Sequence, residues 1–274
     1  MKVEREFMSI EVTERFALDG TGSRVSGSAA KYQELGLTVY EDVVPETLLA
    51  ELNATIDATR NQWSSNDGGL ELDLARSFGD LLRRNESFRS IEREACGELP
   101  GYAAAETTVA EDTLHSLRCV DHHMPWQSHL RHHDSHWLTL LIPLQLAQGA
   151  GRNGDLVLYK MRRESVSTLP NMIYKTWLVI QQNRHFRIRR RQTYRDLKRG
   201  RCRRIACKPG NVYAFNGFLC LHANLDIESG ERRSLLIHYY DPCLTAGIKN
   251  MTRRLQRLRE WFTPLNHGPQ YPWL

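Results

Sequence analysis

Six of the eleven histidines (His122, His123, His129, His132, His133 and His136) fall within 15 residues, immediately before the apolar run WLTLLIPLQL. Taken singly, each reads as a surface or core residue. His132 and Asp134 differ from the rest, because residues i and i+2 on an extended backbone point to the same side, so an imidazole and a carboxylate can converge on one cation. A third ligand must come from elsewhere in the chain. His222, 88 residues after Asp134 in KPGNVYAFNGFLCLHANLD, follows a turn and a short apolar run. Two histidines and one carboxylate on one side of an octahedral ion leave positions open, a donor set suited to Fe(II) that must meet O2. Zinc would more usually be held by H-E-x-x-H or by paired cysteines, and the six cysteines include no C-x-x-C pair.

An iron site of this kind also needs an electron-donating co-substrate and a cation to hold it. Ten residues past His222, in GERRSLLIHYYDP, Arg232 and Ser234 share one side of an extended stretch while Arg233 points the other way. Arg232 can grip a carboxylate through its guanidinium fork, and Ser234 can add a hydroxyl hydrogen bond. Arg233 is equally basic, and a one-residue change in the loop 223–231 would make it the anchor instead.

On these residues the chain resembles the Fe(II)/2-oxoglutarate-dependent dioxygenases, and within them the phytanoyl-CoA hydroxylase-like branch. The family pattern of H-x-D, a distant His and an Arg some ten residues later is met by His132, Asp134, His222 and Arg232, with Ser234 completing R-x-S. GLTVYEDVVPETLLAEL is similar to the family's N-terminal strand and helix, and NGDLVLY and KPGNVYAFNG to two of its barrel strands. The resemblance runs from Leu35 to Asp241 and implies a double-stranded β-helix, a jelly-roll of the cupin kind. It also implies iron held by His132, Asp134 and His222, which would then be the catalytic residues, and 2-oxoglutarate chelating that iron with its far carboxylate on Arg232. The implied reaction converts 2-oxoglutarate and O2 to succinate and CO2 while a substrate C–H bond is hydroxylated, desaturated or cyclised. Asp134 stands where halogenating relatives carry a small residue, which favours hydroxylation. A second 2-oxoglutarate contact is expected on the strand after H-x-D, and Thr139 is the candidate.

The elements that must position these residues follow from periodicity. With 274 residues, 41% apolar and 25% charged, the chain has the composition of an ordinary globular protein and the length to bury a large core. Residues 1–29 read as a flexible arm, and residues 30–274 as one domain. AAKYQELG reads as a short helical stretch, 37–44 as a strand and 45–60 as a helix with Leu48, Leu49, Leu52 and Ile56 on one side. Residues 70–100 are also helical in pattern. Short strands are expected at 113–120, 137–145, 155–161, 176–182, 204–207, 211–215 and 234–240, between turn signals. Helices followed by many strands argue for an α+β protein built on a sandwich or small barrel. Residues 251–262 read as a basic amphipathic helix.

The net charge of +5 is unevenly placed. The segment from Arg184 to Arg204 holds ten Arg and one Lys against the single Asp196, and removing its +10 leaves the remainder at −5. Inserted between two expected strands, this segment reads either as a solvated hairpin or as a lid, including Arg189, Arg190 and Arg191, that meets an anionic or carrier-linked substrate. Phe186 and Tyr194 offer stacking for nucleic acid as a third reading. Base repair is disfavoured, since demethylases of alkylated nucleic acids carry a second Arg six positions after the first, where this chain has His238. That histidine reads as a hydrogen-bonded core residue. Trp126 and Gln127, just before H-x-D, are the expected substrate contacts. The expected protein is therefore an Fe(II)- and 2-oxoglutarate-dependent oxygenase of a small metabolite, with a protein or nucleic-acid substrate or a metal-binding sensor barrel as alternatives. With no run long enough to span a bilayer and no secretion signal, it is expected in the cytoplasm with reduced thiols, as a monomer or homodimer.

Overall fold

The computed structural model describes residues 29–60, 69–97, 113–134, 136–147, 153–160 and 181–239. The expected arm, most of the strand expected at 176–182, and the basic helix at 251–262 lie outside the described residues. The chain begins with β1 (Ala29–Tyr32), β2 (Leu37–Tyr40) and α1 (Glu46–Thr59). Two more helices follow, α2 (Gly69–Leu82) and α3 (Glu86–Gly97). The strand-rich part runs through β3 (Leu114–Asp121), β4 (Leu138–Gln145) and β5 (Leu156–Tyr159). It continues through α4 (Phe186–Lys198), β6 (Cys202–Ile205), β7 (Val212–Phe215), β8 (His222–Asn224) and β9 (Glu231–Tyr239).

Two antiparallel sheets face one another. The larger has the order β1-β2-β7-β4-β9-β3 and the smaller the order β6-β5-β8. A backbone bridge between His132 and His222 adds the segment before β4 to the free edge of β8. From β3 onward the chain passes from the larger sheet to His132 in the smaller, back to β4, across to β5 and β6, back to β7, across to β8 and back to β9. This winding is a double-stranded β-helix, and with three helices on its outer face the molecule is α+β.

Burial explains the pattern. Inward side chains of the larger sheet, Leu37, Val39, Leu141, Tyr213 and Phe215, meet Leu156 and Leu158 of the smaller sheet in one core. The outward side chains Leu140, Ile142, Leu235 and Ile237 meet Leu49, Leu52, Ile56, Phe78, Phe88 and Ile91 of the helices in a second. Strand β4 therefore lies between two cores, which is why it reads as an unbroken apolar run and not as an alternating one.

Several elements differ from the sequence reading. AAKYQELG is a strand followed by a 3-10 turn at Gln33–Leu35, because pairing with β2 outweighs local helix propensity. The helical stretch 70–100 is two helices, and the break is fixed by Asn85, whose side-chain oxygen accepts from the amides of Ser87 and Phe88. Strand β9 begins at Glu231, three residues early. The basic segment is neither a hairpin nor an open loop but the helix α4 followed by β6.

The outward face of β3 carries His115, which is 6% exposed and packs so closely on α2 that a Cβ at Gly79 would lie 2.3 Å from its Nε2. No hydrogen bond reaches that nitrogen among the described residues, and burial, with Arg83 nearby, pushes the imidazole down to about 4. The unfolded chain binds this proton near its ordinary 6.5, so between pH 6.5 and 4 unfolding takes up a proton and stability falls with pH. The loss expected from this one group reaches about 3 kcal/mol at pH 4. Urea unfolding from pH 7 to 4 checks it: His115→Gln should flatten the decline, and an unchanged slope would assign it to other groups.

Candidate metal centre

His132 enters the site on the short extended segment before β4, and His222 opens β8. Their amides and carbonyls exchange hydrogen bonds, each 3.0 Å, which sets the two side chains side by side with ring centroids 4.2 Å apart. Asp134, two residues on, is fixed by its amide bonding to the carbonyl of Gly217 at 2.9 Å. Asp134 Oδ1 then lies 3.7 Å from His132 Nε2 and 3.5 Å from His222 Nε2. Ligand atoms of the three residues lie within 4.8 Å of one another, and this is the one such group among the described residues.

The hydrogen bonds behind these atoms decide what they can do. His132 Nδ1 faces the carbonyl of Leu130 at 2.9 Å and His222 Nδ1 that of Cys220 at 3.1 Å. A carbonyl only accepts, so each Nδ1 holds the ring proton and each neutral Nε2 turns a lone pair to the site. Thr139 Oγ1 donates to Asp134 Oδ2 at 2.5 Å and lies 3.0 Å from His238 Nδ1, leaving Oδ1 facing the histidines. His222 Nε2 is buried without a hydrogen-bond partner. A buried nitrogen lone pair aimed at a carboxylate and a second imidazole is accounted for by a cation among them, and two nitrogens with one oxygen fit Fe(II).

Charge follows the same geometry. Burial, reinforced by His222, pushes His132 down to about 3. At Asp134 burial works upward, but His222, His238 and His132 outweigh it and hold the carboxyl well below its usual range. At His222 burial works downward and Asp134 outweighs it, so the carboxylate draws positive charge to this corner of the site. The site is thus an anion beside a neutral imidazole, with positive charge favoured at the third corner.

Gly217 is what lets these groups meet. A Cβ there would lie 2.2 Å from Asp134 Oδ2 and 2.6 Å from Thr139 Oγ1. Gly217→Ala should therefore push the carboxylate out of place and weaken Mn(II) binding by about 10- to 100-fold, the usual effect of disturbing a ligand's support. Calorimetric titration measures this, and an unchanged affinity would show that Asp134 is not the ligand.

The neighbouring arginines of β9 point to opposite sides. Arg233 faces α1, where it meets Asp57 Oδ1 at 2.5 Å, Glu231 Oε2 at 2.8 Å and the Asn53 carbonyl at 3.1 Å. Arg232 turns between the sheets, 8% exposed, with Nη1 donating to the Gly154 carbonyl at 2.5 Å and a buried Nε that has no partner. Gly154, at φ +81°, would place a Cβ 3.0 Å from Arg232 Cδ. Burial lowers the Arg232 guanidinium to about 10, which leaves it a cation at neutral pH. Ser234 is buried on the same face. Directly opposite, in register on β3, stands Arg118. It is exposed, pairs with no carboxylate among the described residues, and its charge disfavours protonation of His132, His238 and Arg232.

The remaining candidates are distributed as follows. Thr139 is fully buried, and its hydroxyl is engaged by Asp134 and His238. Trp126 and Gln127 lie on the 3-10 turn Pro125–Gln127, and neither has an observed contact with the triad. Trp126 is 38% exposed with its carbonyl bonded to Arg189 Nη2, and Gln127 bonds Met124 Sδ at 3.4 Å. Arg190 pairs with Asp226 at 3.2 Å, and Arg191 is exposed. Arg118, Gly154 and Gly217 were not singled out from the sequence. The two glycines carried a signal, each in an Asn-Gly pair (Asn153-Gly154 and Asn216-Gly217), and both pairs signalled a turn, not a close approach to a buried side chain.

No family model matches the chain, and no curated protein matches it. Among solved structures, a prolyl-4-hydroxylase of Pseudomonas putida is 12% identical with a TM-score of 0.39, over 75% of this chain and 87% of that one. AviO1 of Streptomyces viridochromogenes is 15% identical with a TM-score of 0.46, over 77% and 91%. SnoN, the non-heme alpha ketoglutarate dependent epimerase from nogalamycin biosynthesis, is 13% identical with a TM-score of 0.38, over 77% and 78%. No helix among the described residues is long and apolar enough to cross a membrane.

Proposed function

We propose that the chain is an Fe(II)- and 2-oxoglutarate-dependent oxygenase, akin to the phytanoyl-CoA hydroxylase-like branch, acting on a small anionic or carrier-linked metabolite in the cytoplasm. The observation that carries this reading is the unpartnered Nε2 of His222, buried beside Asp134 Oδ1 and His132 Nε2 in a barrel whose inner wall also holds Arg232. His132, Asp134 and His222 would hold the metal. When bound, Fe(II) and 2-oxoglutarate supply the activation of O2, with one oxygen atom leaving in succinate, the other inserted into a substrate C–H bond, and CO2 released.

The chain's own residues bind and orient. Arg232, whose buried Nε has no hydrogen-bond partner, presents a fork to the far carboxylate of 2-oxoglutarate, and Ser234 adds a hydroxyl on the same face. Low local dielectric strengthens that pairing. Thr139 keeps Asp134 turned to the metal, and the Leu130 and Cys220 carbonyls keep both imidazoles in the ligating tautomer. Arg118 supplies a second positive charge where the inner wall opens to solvent, which supports an anionic substrate group.

Anaerobic titration with Fe(II) and then 2-oxoglutarate tests the reading through the visible metal-to-ligand charge-transfer band of the chelate. The band is expected in the unaltered chain and lost in Arg232→Ala. Iron binding without the band in the unaltered chain would overturn the oxygenase reading.

A further inference from the structure

The two sides of α4 do different things. Its inner side carries Arg189, Thr193 and Asp196, all buried. Arg189 bonds the Trp126 carbonyl, and Asp196 pairs with Arg131 at 3.4 Å. Arg190 and Tyr194 both reach Asp226, which also takes His129 Nε2. Just before the helix, Gln182 Nε2 donates to the carbonyl of Arg131 at 2.8 Å, next to the ligand His132. The helix is therefore fastened to the strand that presents the metal ligands.

The outer side is a row of uncompensated cations. Arg187, Arg191, Arg195 and Lys198 are exposed, and at 100° per residue they fall within an arc of about 80° and span about 16 Å along the axis. Arg184 and Arg199 extend the row at its two ends. No carboxylate among the described residues pairs with any of these six; Asp196 and Asp226 are taken by the inner side. Ile188, 52% exposed, lies beside the row. Charged positions beside an exposed Ile are the composition of a protein interface. Stacking on nucleic bases is not served, because Phe186 and Tyr194 both turn inward against His129, at ring distances of 5.8 and 5.7 Å.

We infer that the outer face of α4 is the docking surface for an acidic, helical carrier domain that brings the substrate on a flexible tether. This rests on the oxygenase reading, since the helix matters to turnover only if the neighbouring centre acts on the tethered group. The partner is protein because a convex helix with the exposed Ile188 near its start matches the side of another helix, and it is acidic because no carboxylate among the described residues pairs with the row. A flexible tether is needed because the row lies on the side of α4 away from the contacts that fasten the helix to the segment carrying His132.

The test titrates the full chain into a dye-labelled, purified acyl carrier domain bearing its phosphopantetheine arm, followed by fluorescence anisotropy at two ionic strengths. Saturable binding is expected, weakening about tenfold between roughly 50 and 200 mM salt. Arg187→Glu/Arg191→Glu/Arg195→Glu should weaken it by at least about 30-fold, and the triple Lys variant should remain within about threefold of the unaltered chain. Exposed positions make these folded controls, confirmed by circular dichroism. Absence of saturable binding, equal binding by the triple Glu variant, or tighter binding to duplex DNA or phosphatidylserine vesicles than to the carrier domain would each overturn the inference. The readout is association and not turnover, so it stands apart from the charge-transfer test of the metal centre.

Discussion

Asp134→Ala should abolish tight binding of Mn(II) or Fe(II) and all turnover while leaving the fold intact. The carboxylate is the one formal negative charge against two imidazoles, so its loss removes both a ligand atom and the field that draws a cation in. An affinity drop of at least about 10³-fold is expected, beyond the 10- to 100-fold typical of losing a ligand's support. Thr139→Val supplies that milder case, because it removes the hydroxyl that donates to Oδ2 and leaves the ligand in place. Calorimetric titration with Mn(II) distinguishes the two, and near-normal affinity in Asp134→Ala would dissolve the triad.

The second large effect separates the neighbouring arginines. Arg232→Ala should raise the 2-oxoglutarate dissociation constant by about 100-fold, the worth of a charge-assisted fork of roughly 3 kcal/mol, with little change in melting temperature. Stability is spared because a buried guanidinium with one carbonyl partner contributes little beyond its own desolvation. Arg233→Ala should do the reverse. It leaves 2-oxoglutarate binding within about threefold but costs about 1–3 kcal/mol of stability, as Asp57, Glu231 and the Asn53 carbonyl lose their donor. An Arg233→Ala variant that loses 2-oxoglutarate and keeps its stability would move the anchor by one residue.

Which parts were legible from sequence follows from what each part is made of. The pairing of His132 with Asp134 and the opposite aims of Arg232 and Arg233 depend on the two-residue period of extended chain, and that period holds wherever a strand forms. Helix α1 was legible because Leu49, Leu52 and Ile56 are apolar at helical spacing. Helix α4 was not, although its buried positions 189, 193 and 196 have the same spacing, because they are Arg, Thr and Asp. Its inner side is held by ion pairs and carbonyl contacts, which leave no hydrophobic period to read. Thr139 was expected to meet a co-substrate because it lies on the right strand. That its hydroxyl meets Asp134 depends on the close approach of Gly217, and a close approach is a property of two segments together.

The reciprocal amide bonds of His132 and His222 join points ninety residues apart at the rim of the smaller sheet. Two of the three candidate ligands are thus also the stitch that closes that rim, so occupancy of the centre and integrity of the edge are one equilibrium seen from two sides. A copy with that centre empty is expected to fray there first, exposing a strand edge before any global unfolding.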